Sequence, residues 1–307
     1  MIVLQILIVL LGVYLIFSFL PSVVMFRSVF CHRMKAKTDK DYYVPFFPLM
    51  EAAEHTLRAI PVTEVSVTAD DGITLRGDYY DRGSDRTAIC FHGYRGTPMC
   101  NCGYQAALLA DAGYNVLLVH QRAHGRSEGT FCAMGVTEQS DVLRWVAFAA
   151  AMPTVEHVVL YGVSMGAASI AYASDRLGAE HKVRAMVLDC GFLGVYDQLR
   201  DDCRRLHLPP WAILPVMRLC FRLRFGRDIR VRTTASLEKT TVPALFLHGK
   251  ADESVSFSHG EAVFAACASE KEAYFHPTAA HTCTLPASGE EAARVFLSFL
   301  DEHIHTI

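Results

Sequence analysis

"YGVSMGAAS" (residues 161–169) sets a serine between two glycines, directly after an apolar run and directly before a string of small residues. G-x-S-x-G is short enough to arise by chance, and alone it fits a glycine-rich loop as well as a reactive turn. Its neighbours decide between the two. "HVVLYGVS" (157–164) has the nearly continuous apolar character of a strand covered on both faces. "MGAASIAYASDRLG" (165–178) is helical in character and starts with no linker. A strand that becomes a helix over one residue is strained, and Gly162 and Gly166 remove the side chains that would collide there. Ser164 is therefore expected at the top of a sheet, beside the N-terminal amides of the following helix.

The same strand character recurs in "TAICFHG" (87–93), "NVLLVHQ" (115–121), "VRAMVLDC" (183–190), "VPALFLHG" (242–249) and the shorter "EAYFHP" (272–277). "TEVSVTA" and "ITLRGDYY" alternate apolar and polar residues around Asp70–Gly72, the pattern of a hairpin with one wet face. Helical patterns fill the gaps: residues 99–113, closing on a glycine, then 137–151, 258–269 and 289–304. Strands alternating with helices predict right-handed βαβ units. The expected fold class is α/β, with a mostly parallel eight-stranded sheet flanked by helices and an antiparallel hairpin at its edge. Residues 192–240 interrupt the alternation; too long for a crossover, they are expected to form a small helical cap.

In an open parallel sheet the working residues gather at the carboxyl ends of the strands. A serine needs a base, and the base needs an orienting acid. The strand 242–249 is followed by Asp252 and Glu253, both candidate acids, with Asp189 at the preceding strand end a weaker third. The last strand is followed by His281 in "PTAAHTCT". "FHGYRGTP" (91–98) leaves another strand end, and its Tyr94 amide is a candidate partner for the Met165 amide in an oxyanion hole. His92, His124 and His248 read as loop supports, and Cys190 and Cys283 as buried thiols rather than redox groups.

"HGYRG", "RAHGRSEG", "GVSMGAAS", "LFLHGKADESV" and "AAHT" thus follow one another, each at a predicted strand exit. With these motifs the chain from about Val62 to Ile304 resembles the α/β-hydrolase superfamily, nearest to its dienelactone hydrolase and prolyl oligopeptidase-like branch. It is similar to the membrane-anchored bacterial serine hydrolases with one N-terminal span. The resemblance implies Ser164 as nucleophile, Asp252 as acid and His281 as base, with oxyanion amides on Tyr94 and Met165, and neither cofactor nor metal. One departure is Gln121, preceded by His120, where relatives often carry a structural aspartate. The implied reaction is cleavage of a carboxylic ester or thioester through an acyl-enzyme, on a small-molecule or lipid-like substrate. The alternatives are a serine peptidase of the same fold and a non-catalytic hydrolase-like binding protein; an intact Ser164, Asp252 and His281 speak against the last.

The remaining expectations come from composition. A chain of 307 residues, 51% hydrophobic, affords a large core, and a net charge of −3 gives no basic excess that would point to nucleic acid. Ten cysteines contain no CxxC pair and no zinc spacing, the usage of reduced thiols. Residues 2–26 carry no charge and exceed the roughly 20 apolar residues a membrane helix needs. With neither a basic start nor a small-x-small cleavage site, residues 1–26 are expected to be a retained transmembrane anchor. A basic connector (27–60) and the catalytic domain (61–307) follow. Arg27, Arg33, Lys35, Lys37 and Lys40 after the run predict a single-pass protein with its domain in the cytoplasm. In the cap, Leu206, Leu208, Trp211, Ile213, Leu214 and Phe221 are candidates to line an acyl pocket, while its many arginines are expected to be solvated. Oligomeric state is not legible.

Overall fold

The computed structural model describes residues 1–37 and 41–305. Eight strands form one sheet in the order β1-β2-β4-β3-β5-β6-β7-β8. They are β1 (Val62–Thr68), β2 (Thr74–Tyr80), β3 (Arg86–Phe91), β4 (Asn115–His120), β5 (His157–Val163), β6 (Val183–Asp189), β7 (Ala244–Gly249) and β8 (Lys271–His276). The hairpin β1–β2 is antiparallel and β2 joins β4 antiparallel; every other pairing is parallel. This is the α/β architecture that the alternation of strand and helix predicts.

Side-chain alternation explains why the central strands read as unbroken apolar runs. On β3, Ile89 and Phe91 enter one core while Ala88 and Cys90 enter the other. On β5, Val158 and Leu160 face the first, Val159, Tyr161 and Val163 the second. With helices on both faces, nearly every position is interior and no polar alternation survives. β1 at the free edge is mostly exposed, as its mixed sequence requires.

In chain order the helices are α1 (Ile2–Tyr14), α2 (Leu20–Phe30), α3 (Phe47–Arg58), α4 (Pro98–Asp111), α5 (Glu138–Ala150) and α6 (Met165–Ala173). Then come α7 (Val195–Arg205), α8 (Pro210–Phe225), α9 (Thr234–Leu237), α10 (Phe257–Ala266), α11 (Thr284–Ser288) and α12 (Glu290–His305). Helices α5, α6 and α10 supply Trp145, Ile170 and Val263 to the first core. Helices α3, α4 and α12 supply Leu57, Leu109 and Phe296 to the second. A third apolar cluster lies above the strand ends. It joins Phe26 and Phe30 of α2 to Leu199 of α7 and to Ile213, Met217 and Phe221 of α8.

The N-terminal run corrects the sequence reading. Its helical turns are divided into α1 of 13 residues, a π-helical segment at Leu15–Phe19, and α2 of 11 residues. Among the described residues no helix is long and apolar enough to cross a membrane. The expected boundary at residue 26 also falls inside α2, whose Ser22, Phe26 and Phe30 are buried against the domain. Phe30 stacks edge-on to Phe221 at 5.3 Å, and Phe26 lies 6.3 Å from Phe225. The physical reason is that hydropathy measures a need for apolar surroundings and not their source. The single-pass assignment and its orientation fall together. Arg33, counted as a flanking charge, donates to the backbone carbonyls of Ser127 (2.8 Å) and Gly125. Lys40 lies outside the described residues.

Candidate active site

Four strand exits build the site. β5 ends at Val163, and Ser164 takes φ 53° and ψ −112° before α6 opens at Met165. A non-glycine residue in that region is held there against a steric cost, which the surrounding packing must offset. The Ser164 amide donates to the Asp189 carbonyl at 2.8 Å, tying the turn to the end of β6. The flanking glycines are obligatory by contact. A Cβ on Gly166 would stand 2.0 Å from the Phe91 carbonyl oxygen, and one on Gly162 would stand 2.6 Å from the Ala167 nitrogen.

The loop after β8 carries His281 back over Ser164. Its Nε2 lies 3.1 Å from Ser164 Oγ and its Nδ1 lies 2.6 Å from Asp252 Oδ2, in the loop after β7. With the ring proton on Nδ1, Asp252 accepts it and Nε2 accepts from the serine hydroxyl. Asp252 Oδ1 accepts from the amides of Ser254 and Val255, both at 2.8 Å. Burial pushes the Asp252 carboxyl upward, but the His281 charge and hydrogen bond with the Val255 amide outweigh it and hold the group below its usual range. Gly249 makes the approach of the two loops possible, since a Cβ there would lie 2.0 Å from the Ala279 carbonyl oxygen.

Glu253 shares a surface hollow with Asp252, Arg200 and Arg204, but it is Asp252 whose carboxylate meets His281 Nδ1. Asp189 is fully buried and accepts from the Tyr161 hydroxyl at 2.9 Å; burial raises it to about 7. Cys190, Asp252 and His281 offer ligand-type atoms within 4.8 Å of one another, the one such grouping among the described residues. The Asp252 carboxylate and a His281 nitrogen are already committed to each other, and burial raises the Cys190 thiol well above its ordinary value.

Tyr94 lines the same cavity as Ser164, and Met165 opens α6 immediately after the serine, where amides have no intrahelical acceptor. The Tyr94 loop is held from three sides. The Gly93 amide donates to Asn101 Oδ1 at 3.0 Å, and the Arg95 amide to His124 Nε2 at 3.0 Å. His92 Nε2 accepts from the Gln121 amide at 3.1 Å, while the Gln121 side chain donates to the His92 carbonyl. Burial pushes both imidazoles down, His124 to about 4, so they act as neutral backbone braces. Gln121, the departure from the family pattern, thus serves as a clasp between two strand-exit loops.

The cavity over Ser164 is about 500 Å³. Of the residues expected to line it, Leu206 does. Trp211 is 82% exposed instead, and Ile213, Leu214 and Phe221 are buried in the third cluster. Their place in the lining is taken by Phe192 and Leu199, and by Met25, Val29 and Tyr43 from the N-terminal segment. Asn101, read only as part of "CNC", also lines it. No local motif marks these residues; they reach the site through packing alone. The cap arginines are largely paired within the insertion: Arg218 with Asp228, Arg232 with Asp197, and Arg205 with Asp202.

A family model of the alpha/beta hydrolase fold matches residues 89–263. The uncharacterized protein YqkD of Bacillus subtilis (strain 168) is 27% identical over 194 residues, 61% of this chain and 62% of that protein. The chain therefore spans less than two thirds of this relative's length. Among solved structures, the Pyrococcus furiosus esterase Pf2001 superposes with a TM-score of 0.65 at 21% identity, covering 80% of this chain and 94% of that one. The Pyrococcus horikoshii acylaminoacyl peptidase superposes with a TM-score of 0.60 at 15% identity, covering 80% of this chain and 42% of that one. These two likenesses speak for the fold. With the strand order, the one-residue turn at the end of β5 and a family match spanning more than half its length, the chain belongs to the α/β-hydrolase fold family.

Proposed function

We propose that this protein is a serine hydrolase that cleaves carboxylic ester or thioester bonds through an acyl-enzyme. The observation that carries the reading is the series Ser164 Oγ, His281 Nε2, His281 Nδ1 and Asp252 Oδ2, linked at 3.1 and 2.6 Å on a serine held at positive φ. His281 takes the hydroxyl proton as Ser164 Oγ bonds to the carbonyl carbon. Asp252 keeps the imidazole in the right tautomer and stabilises its cationic form. The carbonyl oxygen, now negative, is received by the Tyr94 and Met165 amides beside the start of α6. Collapse of the tetrahedral species breaks the bond to the leaving group, which departs with the proton from His281. Water then adds to the acyl-enzyme by the same steps and frees the acid.

Support for esters over peptides comes from the apolar walls Met25, Val29, Met134, Phe192 and Leu199 in a pocket of about 500 Å³, which Lys37, Gln198, Asp202 and Arg205 also line. The test is labelling of the full chain with a fluorophosphonate, beside Ser164→Ala, together with turnover of p-nitrophenyl and thioester panels. Labelling that disappears in the variant, with turnover falling on the order of 10⁴-fold or more, is the expected result. A folded wild type that neither labels nor turns over would replace this reading with that of a hydrolase-shaped binding protein.

A further inference from the structure

The walls of the cavity over Ser164 come partly from outside the region that matches the family. Met25 and Val29 lie four residues apart on α2 and both line it. Residues at that spacing share one helix face. The adjoining stripe, Phe26 and Phe30, is driven into Phe221 and Phe225 of α8, with Phe30 fully buried. The rotation of α2 about its axis is therefore set by its aromatic stripe, which leaves the Met25–Val29 stripe facing the cavity.

The helix is also fastened to the catalytic loops by directed bonds. The Tyr94 hydroxyl donates to the Val29 carbonyl at 2.9 Å, and the Cys132 amide to the Phe30 carbonyl at 2.9 Å. The chain beyond it continues across the same face. The Met34 amide donates to the Ala123 carbonyl and the Lys37 amide to the Arg95 carbonyl, each at 2.8 Å. Tyr43, buried, shares a hydrogen bond of 2.6 Å with the Thr282 hydroxyl beside His281. The segment is thus pinned to the exits of β3, β4 and β8 in turn.

The side-chain chemistry of this wall says which half of a substrate it suits. A carbonyl oxygen received by the Tyr94 amide points toward that loop, and the leaving group must lie toward His281, which protonates it. The remaining substituent, the acyl chain, needs an apolar wall, and Met25 and Val29 supply one in the cavity that holds Ser164. We propose, on the ester-hydrolase reading above, that α2 is the acyl wall of this enzyme. Met25 and Val29 set how long an unbranched aliphatic acyl group the cavity accepts. Methionine and valine present no hydrogen-bonding group that would need a polar partner, so the part of the substrate that meets this wall is a plain aliphatic chain, while Lys37, Gln198, Asp202 and Arg205 line the cavity elsewhere.

The experiment compares kcat/KM for p-nitrophenyl acetate, octanoate and laurate in the wild type, Val29→Trp, Met25→Trp and Val29→Ala, with thermal melts as a folding control. The octanoate-to-acetate ratio should fall about tenfold or more in the tryptophan variants. Val29→Ala should move the ratio the other way, raising laurate relative to octanoate, so a tryptophan variant that misfolds does not end the test. Ratios that stay constant across folded variants overturn the proposal. A second arm measures equilibrium binding of p-nitrophenyl octanoate to Ser164→Ala, with and without Val29→Trp. About tenfold weaker binding on adding the tryptophan supports the wall even if the wild type proves inert to esters and fluorophosphonate, which would sink the hydrolase reading alone. Unchanged binding overturns the wall whatever the turnover shows.

Discussion

Two regions of this molecule are written in almost uninterrupted apolar residues, and they meet opposite fates. The central strands β3 to β7 are buried along nearly their whole length. In the N-terminal run, by contrast, Ile2 to Leu4 are more than 60% exposed while Phe26 and Phe30 are interior. A strand has its neighbours chosen for it by the backbone, since parallel pairing brings the next strand alongside and the crossover helix seals the face. An apolar helix has no such directed partner. It takes whatever apolar surface is in reach, and here the reach of α2 ends on α8 and on the strand-exit loops around Ser164. The comparison teaches that the chemistry of the site rests on elements with enforced neighbours, while one wall of its pocket rests on an element recruited by packing.

The strand side of that comparison should break hardest. Gly166→Ala puts a Cβ 2.0 Å from the Phe91 carbonyl oxygen, where the start of α6 meets the end of β3 and the contact is backbone that cannot swing aside. A loss of about 3 kcal/mol or more is expected, together with loss of fluorophosphonate labelling. Chemical denaturation and labelling of the purified variant check it, and an active variant of normal stability would show that the turn is less constrained than its contacts imply. On the helix side, Phe30→Ala removes a fully buried ring that touches Phe26, Phe221 and Phe225. It should cost about 3 kcal/mol if α2 melts together with the sheet. If α2 is instead a separately detaching element, the main unfolding transition stays put and a new early one appears, which calorimetry would resolve.

The smallest effect concerns Asp189, buried at the end of β6 with Oδ1 lacking a hydrogen-bond partner. Burial raises its folded-state value from 3.8 to about 7. Below pH 4 it is protonated in both states and costs nothing. Between there and pH 7 the unfolded chain ionises first, so stability falls as pH rises, and above pH 7 the full penalty is present. Asp189→Asn removes the titration. Its melting temperature should therefore gain on the wild type as pH goes from 5 to 8, a difference worth on the order of 2 kcal/mol. A gap that does not change with pH would mean that Asp189 is already ionised in the folded state at pH 5, its charge met by a partner.

Much of the site was legible because its residues are tied to local punctuation. Ser164 follows a predicted strand and precedes a predicted helix; Asp252 and His281 follow strands; the glycines flanking Ser164 announce a tight turn. Asp252 is preferred over Glu253 and Asp189 from its place after β7 and from the family resemblance, and the structure sets it 2.6 Å from His281 Nδ1. Tyr43 and Asn101 were illegible, since no spacing rule supplies their contacts. Asn101 reaches the Tyr94 loop from α4, and Tyr43 reaches Thr282 across 239 positions of sequence.

From periodicity and glycine placement alone came the α/β class, the eight strands, the insertion and the positions where reactive side chains could collect, because strand and helix periods and turn sterics are local properties of the chain. The tertiary structure alone decided what the apolar N-terminal run packs against and which cap residues face the cavity and which face solvent. Hydrophobicity states how much surface must leave water, whereas the identity of the partner depends on which surfaces the folded sheet brings within reach.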